Sequence, residues 1–278
     1  MPELPEVEIT RRGLLPLVNQ TVSNVVIRNA AMRWPIPAHL PQTLQNQQLV
    51  GLTRRAKYIL AEFFDADNAA NSGTLLLHLG MSGRISLLER NYPPEKHDHF
   101  DIAFQDGRML RLCDPRRFGA VLWAGSTPSE HALLMSLGPE PLDDVFNAMY
   151  LHSQLKTRSA AIKVAIMDSQ LVVGVGNIYA SESLFRARIH PETPAKNLSL
   201  KQCEKLVAEI KTTLNAALDV GGSSLRDFFG VDGNIGYFQQ EYFVYGRTGE
   251  QCKMCSKPIK TVRLGQRSTF FCSHCQKS

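Results

Sequence analysis

Pro2 and Glu3 form the pair with the greatest chemical reach in this 278-residue chain. A small residue in second place permits removal of the initiator methionine, which would expose the secondary amine of Pro2 beside a carboxyl. A free chain-terminal amine has a pKa of about 7.7–8.0, so an appreciable fraction is uncharged near neutrality. Such an amine attacks an electron-poor carbon and forms an iminium, dividing one hard step into two. The neighbouring Glu3 carboxyl is placed to act as acid or base. At the far end stand Cys252, Cys255, Cys272 and Cys275, a CxxC…CxxC pair. Their thiolates can converge tetrahedrally, and soft sulfur ligands in that geometry select zinc. The segment between the pairs is long enough for a β-hairpin that brings them together. From Gly246 to Ser278 there are seven Lys/Arg (Arg247, Lys253, Lys257, Lys260, Arg263, Arg267, Lys277) against Glu250 alone, a formal +6 where the whole chain carries +5. A metal-stapled hairpin holding all the excess positive charge points to nucleic acid. A structural ribbon that closes the chain end or binds protein is the other reading of the same residues.

Further motifs lie between these ends. Asp114-Pro-Arg116-Arg117-Phe118-Gly119 is a turn between strands with two guanidinium groups and an aromatic. Arg can contact base edges and Phe can wedge into a base stack, although an exposed hairpin tip with an Asp–Arg pair fits equally well. Arg54-Arg55-Ala56-Lys57, at the head of a strand, is ambiguous in the same way. Gly174-Val-Gly176-Asn177 runs into a helix with Asn177 expected at the N-cap. The first-turn N–H groups there attract an anion such as phosphate, and a capped helix after a tight turn is the plainer alternative. His78 and the Lys96-His97-Asp98-His99 cluster lack a second group at metal-ligand spacing, which favours phosphate contact or local hydrogen bonding.

The elements that must position these groups fall into two parts. Pro5 followed by Glu6 and Glu8 predicts the first turn of a helix, with Val7, Leu14, Leu15 and Val18 on one face. The period then changes to two. Thr21–Arg28, Lys57–Phe64, Thr74–Leu79, Arg84–Leu88, Phe100–Phe104, Met109–Cys113 and Ala120–Trp123 all read as strands. Asp106-Gly107 signals a tight hairpin. So many strands without alternating helices imply an antiparallel sandwich or barrel over roughly 1–125. From Gly138 the pattern becomes helical. One helix, capped by Asp143 or Asp144, passes through Phe146, Tyr150 and Leu151. Others are expected over Ala160–Met167 and Asn177–Arg186. Ser199-Leu-Lys-Gln202 is a capping box opening the longest, whose inner face is Cys203, Leu206, Val207, Ile210 and Leu214 and which Gly221 ends. The stretch from Gly221 to Tyr245 has weak periodicity and reads as a mobile loop. The length suits two domains, and 44% hydrophobic residues are ample for real cores. No apolar run reaches membrane-spanning length, and the acidic start lacks the basic region of a signal peptide. Cys113 and Cys203 sit singly in apolar patterns as reduced core residues, which suits the cytoplasm.

Taken together, these motifs resemble the bacterial formamidopyrimidine-DNA glycosylases, which excise 8-oxoguanine and ring-opened purines. The likeness spans the chain: Pro2–Glu8, Arg54–Tyr58, His78–Gly83, Lys96–His99, Asp114–Gly119, Gly174–Glu182, and the cysteine tail with Gln266–Phe270. The resemblance implies an α+β multidomain clamp with DNA in a basic cleft. An N-terminal helix and antiparallel β-sandwich (1–125) precede a helix–two-turn–helix domain (138–225). A mobile lesion-recognition loop and connector (226–245) and a β-hairpin zinc finger (246–278) follow. It implies that Pro2 attacks C1′ of the damaged nucleotide, that Glu3 handles protons at the sugar, and that Lys57 contacts a phosphate and assists β-elimination. Arg267 would assist the following δ-elimination. Met81, Arg116 and Phe118 would fill the void left by the extruded base, while His97, Arg158 and Asn177 hold the backbone. The implied cofactor is one structural Zn2+ on the four cysteines. The implied partner is double-stranded DNA with damaged bases, met by a cytoplasmic, nucleoid-associated monomer with no membrane contact. Arg158 stands where Lys is frequent, and Arg226 replaces a Lys of some relatives. An endonuclease VIII-like enzyme for oxidised pyrimidines is disfavoured by Leu4 and by the Arg116-Arg117-Phe118 wedge. A non-enzymatic zinc DNA-binding protein would need neither Pro2-Glu3 nor Lys57.

Overall fold

The computed structural model describes residues 2–221 and 242–277, and the chain divides into two compact units. The first, whose described residues are 2–135 with 220 and 221, opens with helix α1 (Leu4–Gly13). It continues through β1 (Val22–Ile27), α2 (Leu40–Leu44), β2 (Gln48–Arg55), β3 (Tyr58–Phe64), β4 (Gly73–His78) and β5 (Arg84–Glu89). Then come β6 (Asp98–Phe104), β7 (Arg108–Cys113), β8 (Ala120–Gly125) and α3 (Ala132–Met135). The strands form two antiparallel four-stranded sheets, β2-β3-β4-β8 and β1-β6-β7-β5. Leu49, Ile59, Leu75, Leu77 and Val121 of one sheet share a single buried cluster with Val22, Phe100, Ile102, Leu110 and Leu112 of the other. The alternation seen in the sequence is thus the inward face of a sandwich.

Strand β2 is absent from the pattern reading, and a bulge explains why. Its pairing with β3 slips between Leu49 and Gly51, so Leu49 and Leu52 both point inward at a spacing of three rather than two. Arg54 and Arg55 therefore end β2, and Lys57 lies in the β2–β3 turn rather than at a strand head. Helix α1 is also shorter than its apolar face suggested. It stops at Gly13, Leu14 caps it, and Leu15 is exposed; Pro16 has no N–H with which to extend the helix.

The second unit begins at Ser136. It holds α4 (Ala148–Leu155), α5 (Ile162–Ile166), α6 (Asn177–Ala187) and α7 (Leu200–Asp219), then the hairpin of β9 (Lys260–Leu264) and β10 (Arg267–Phe271). Asn147, not Asp143 or Asp144, caps α4, its Oδ1 accepting from the Tyr150 N–H. The box at α7 is as read: Gln202 Oε1 accepts from the Ser199 N–H at 2.9 Å, and Ser199 Oγ from the Gln202 N–H. Cys203, Leu206, Ile210 and Leu214 are fully buried along α7, and Gly221 follows with φ +85°. Of the expected 226–245 loop, residues 226–241 and Arg226 with them lie outside the described residues. Among the described residues no helix is long and apolar enough to cross a membrane.

Candidate active site and nucleic-acid interface

Strand register gathers the candidate residues of the first unit at one end of its sandwich. In the first sheet Arg55 pairs with Tyr58, Tyr58 with His78 and His78 with Ala120. In the second, Arg84 and Asp98 both pair with Cys113. The turn carrying Lys57, the turn carrying Met81, the residue His97 and the turn carrying Arg116 and Phe118 therefore all leave the sheets at this edge. The Lys57, Met81 and Arg116–Phe118 turns each join strand ends at this edge. The 90–97 link instead runs back along the sheet, because β5 and β6 both pair antiparallel with β7 and so run parallel, and it delivers His97 to the same end.

Helix α1 packs on β2 and β3, with Arg11 donating to the Leu52 carbonyl and to Glu8. Burial works against the Glu8 carboxylate, yet Arg11, Arg12 and Arg54 together hold it below the usual carboxylate range. Pro2 and Glu3 are buried at the start of this helix. Glu3 is the N-cap, and its N–H donates to Glu6 Oε2 at 2.8 Å, half of a capping box. The first turn thus fixes the backbone one residue from the Pro2 nitrogen.

Beside the Lys57 turn, the Tyr58 and His78 rings lie 4.7 Å apart. Burial, with Lys57 and Arg33 nearby, pushes the His78 pKa down to about 4, so the ring is neutral and its Nδ1 accepts the Gly80 N–H. The His97 segment is buttressed from the sheet behind it. Arg111 donates to the Pro93 carbonyl at 2.9 Å, and Asp98 accepts the Glu95 N–H at 2.7 Å. Burial alone would raise the Asp101 carboxyl, but bonds to Arg111 and Arg28 overcome it and hold the group low. His99 is buried against the Asp114 carbonyl. Among the described residues His78 and His99 thus serve local hydrogen bonds, and the four cysteines are the one cluster able to hold a metal.

The Asp114–Gly119 turn departs from the Asp–Arg hairpin tip. Asp114 is fully buried and its carboxylate accepts from Gly119 N–H, Arg116 N–H and Ser82 Oγ. Arg116 and Phe118 remain exposed, the guanidinium 4.9 Å from the ring centroid.

In the second unit Gly176, not Asn177, caps α6. The Asn177 side chain instead accepts from Lys163 Nζ at 2.5 Å and donates to the Ser268 carbonyl at 3.0 Å. Lys163, buried on α5, also reaches Thr269 Oγ1 at 2.7 Å, so the α6 start and β10 are tied together. Arg267 opens β10 just past a two-residue turn, Gly265-Gln266, in which both φ angles are positive. That is the hairpin turn whose twist matches its strands. Arg158 follows α4 and bonds Asp168 at 2.6 Å.

The cysteine donor set fits zinc. All four Sγ atoms lie within 4.8 Å of one another, with Cys252–Cys275 at 3.9 Å and Cys255–Cys272 at 3.5 Å. Tetrahedral Zn–S bonds of about 2.3 Å require sulfurs about 3.8 Å apart. Burial and the neighbouring sulfurs push the Cys275 thiol up to about 12; a cation among the four reverses that preference.

Two buried groups escaped the sequence reading. Lys163 was visible as a lone cation in the apolar run Ala160–Ile166, where a charge requires partners. Glu182, 3% exposed on α6, accepts the N–H groups of Phe243, Val244 and Tyr245, each at 2.9 Å. Nothing in its local sequence marked it.

Comparison with known proteins bears on the same segments. Residues 1–121 match the formamidopyrimidine-DNA glycosylase N-terminal domain, 137–229 the H2TH domain of the same enzymes, and 249–277 a zinc finger found in FPG and IleRS. The formamidopyrimidine-DNA glycosylase of Methylobacillus flagellatus is 65% identical over 277 residues, covering 100% of this chain and 97% of that one. A crystal structure of a Lactococcus lactis FPG mutant with Fapy-dG-containing DNA superposes with a TM-score of 0.90 at 33% identity, covering 100% of both chains. Lactococcus lactis Fpg with abasic-site DNA gives 0.89 at 31% identity, covering 99% of this chain and 100% of the other.

Proposed function

The chain belongs to the formamidopyrimidine-DNA glycosylase family, and from that premise we propose how its own residues carry out the reaction. It is a DNA glycosylase and AP lyase of base-excision repair that acts on double-stranded DNA containing damaged bases and holds one structural zinc. Its lesions are oxidised and ring-opened purines, and it works as a cytoplasmic monomer at the nucleoid. In this scheme 1–125 is the catalytic part, 138–225 and 246–278 grip DNA, and 226–245 meets the lesion.

Methionine removal leaves Pro2 as a secondary amine at the positive end of α1, where an uncharged nitrogen is favoured over an ammonium. Its lone pair attacks C1′ of the extruded nucleotide, the N-glycosidic bond breaks, and the base departs with a proton. Glu3 moves protons at the sugar. The C1′ iminium is an electron sink that acidifies C2′, so loss of that proton expels the 3′ phosphate. A second elimination expels the 5′ phosphate, and water releases the sugar fragment from Pro2. Lys57 holds a phosphate and assists the first elimination; Arg267 assists the second. His97, Arg158 and Asn177 contact the backbone, and Met81, Arg116 and Phe118 occupy the space vacated by the base, whose extrusion costs a few kcal/mol. Cys252, Cys255, Cys272 and Cys275 hold the zinc, which fixes the β9–β10 hairpin bearing Arg267.

The observation supporting this reading is the convergence of the Lys57, Met81, His97 and Arg116–Phe118 segments at one end of the sandwich. Borohydride trapping on a duplex with 8-oxoguanine opposite cytosine tests it, with the N-terminus of the same preparation defined by intact mass. A covalent adduct at Pro2 is expected. Absence of trapping by chains that begin at Pro2 would refute the nucleophile, and faster turnover of an oxidised pyrimidine would refute the purine assignment.

A further inference from the structure

The carboxylate of Asp114 touches no position where substrate is proposed to bind, yet it joins the segments that carry the proposed wedge. Its Oδ2 accepts the Gly119 N–H at 2.7 Å, and its Oδ1 accepts Ser82 Oγ at 2.9 Å and the Arg116 N–H at 3.3 Å. The main chain adds three ties. Asp114 N–H donates to the His97 carbonyl, Arg117 N–H donates to the Asp114 carbonyl, and His99 Nε2 bonds that same carbonyl at 2.9 Å. One fully buried residue thus holds the Met81 turn through Ser82, both sides of the Arg116–Phe118 turn, and the carbonyl of His97.

The two turns also meet directly. A Cβ on Gly80 would lie 2.4 Å from the Phe118 carbonyl carbon, and one on Gly119 would lie 2.6 Å from the His78 carbonyl oxygen. Arg117 adopts φ +58°, a left-handed conformation that a non-glycine residue holds only when its surroundings impose it. Its carbonyl accepts the Arg33 N–H at 2.9 Å. Exposed side chains on a turn lose their aim when the turn can relax, whereas a buried carboxylate with several donors removes that freedom before DNA arrives.

We infer that Asp114 is a positioning residue for base extrusion: it sets the relative aim of Met81, Arg116 and Phe118, and therefore governs opening of the duplex rather than the chemistry at C1′. The inference rests on the wedge roles proposed above. Asparagine is the informative replacement. Either orientation of its amide leaves one N–H2 facing a main-chain donor, at Gly119 or at Arg116, while volume and burial are unchanged.

The test compares wild type with Asp114→Asn on two duplexes in single turnover, one with 8-oxoguanine and one with a preformed abasic site. Each carries 2-aminopurine beside the target to report unstacking. Misplacing a positioned group by an ångström can cost on the order of a hundredfold. The expected result is excision slowed by about tenfold or more, abasic-site cleavage changed by less than about threefold, and a smaller 2-aminopurine signal. Ser82→Ala, which removes one bond to Oδ1, should shift excision in the same direction and serves if Asp114→Asn fails to fold. Wild-type excision by a folded Asp114→Asn, or by Ser82→Ala in its place, overturns the inference, as does an equal fall on both duplexes. Arg116→Ala and Phe118→Ala separate the two levels. If they too excise at the wild-type rate, the wedge reading fails and takes the inference with it; if they are slow while Asp114→Asn is not, only the inference falls.

Discussion

Replacing Glu182 with glutamine tests how residues 243–245 and the zinc hairpin are held. One buried carboxylate accepts three consecutive main-chain N–H groups, Oε2 from Phe243 and Oε1 from Val244 and Tyr245, each at 2.9 Å. Glutamine keeps one oxygen, which can retain the pair at Oε1 and turns an N–H2 toward the Phe243 N–H. Losing one charge-assisted bond costs roughly 1.5–3 kcal/mol, and the two that remain become neutral and weaker. Partial relaxation offsets some of this, leaving about 3 kcal/mol, or roughly 150-fold in a local opening equilibrium. Amide hydrogen exchange is the assay: 243–245 should exchange about 100-fold faster while α7 keeps its protection. Val244 belongs to the same buried cluster as Cys252, Cys272 and Cys275, so zinc release to a chromogenic chelator should accelerate as well. Exchange at 243–245 within threefold of wild type would refute the reasoning, because three bonds to a desolvated carboxylate cannot be exchanged for two without a measurable opening.

Two further outcomes follow from the same structure. Stoichiometric removal of zinc should abolish duplex binding, since binding energy for a structural zinc is largely folding energy of its module; affinity unchanged in a titration of the zinc-free protein would show that the hairpin is dispensable. For His78 the folded pKa of about 4 lies below the ordinary value of 6.5, so the unfolded chain takes up the proton first as pH falls. The stabilisation from the neutral ring is full above pH 6.5 and is lost between 6.5 and 4, by up to about 3 kcal/mol. His78→Asn, whose Oδ1 can replace Nδ1 opposite the Gly80 N–H, should flatten that part of the denaturation profile relative to wild type, and parallel profiles would exclude His78 as the source.

Much of this molecule is legible in its sequence because the informative patterns are local. Seven strands announced themselves by alternation, and the box at Ser199–Gln202 and the turn at Asp106-Gly107 by residue type. The cysteines did so by spacing. What escaped was relational. Strand β2 hid behind its bulge, since one extra residue near Val50 cancels the period on which recognition depends. The caps at Asn147 and Gly176 went to neighbours of the expected residues, because several candidates stood in a row and only main-chain geometry selects among them. Asn177 could not be read as the partner of Lys163 and Ser268, nor Glu182 as the acceptor for 243–245, because these pairs are 14, 91 and about 60 residues apart. Asp114 was visible, but whether it faced solvent or held two turns together depended on a fold that brings Ser82 alongside it.

The two short links at the far end of the sandwich have a practical corollary. The Asp65–Ser72 link joining β3 to β4 and the Asp106-Gly107 link joining β6 to β7 leave from the edges opposite Lys57, His97 and Arg116. Asp65 there organises its own link, accepting from the N–H groups of Asp67 and Asn68. Dyes, affinity handles or surface-immobilisation tags inserted at Asp67–Ala70 would ride on that link, short of Asn71, whose carbonyl accepts from the buried Gln47 side chain. Single-molecule observation of the protein scanning a duplex could then proceed without the reporter reaching the groups proposed above to grip the helix.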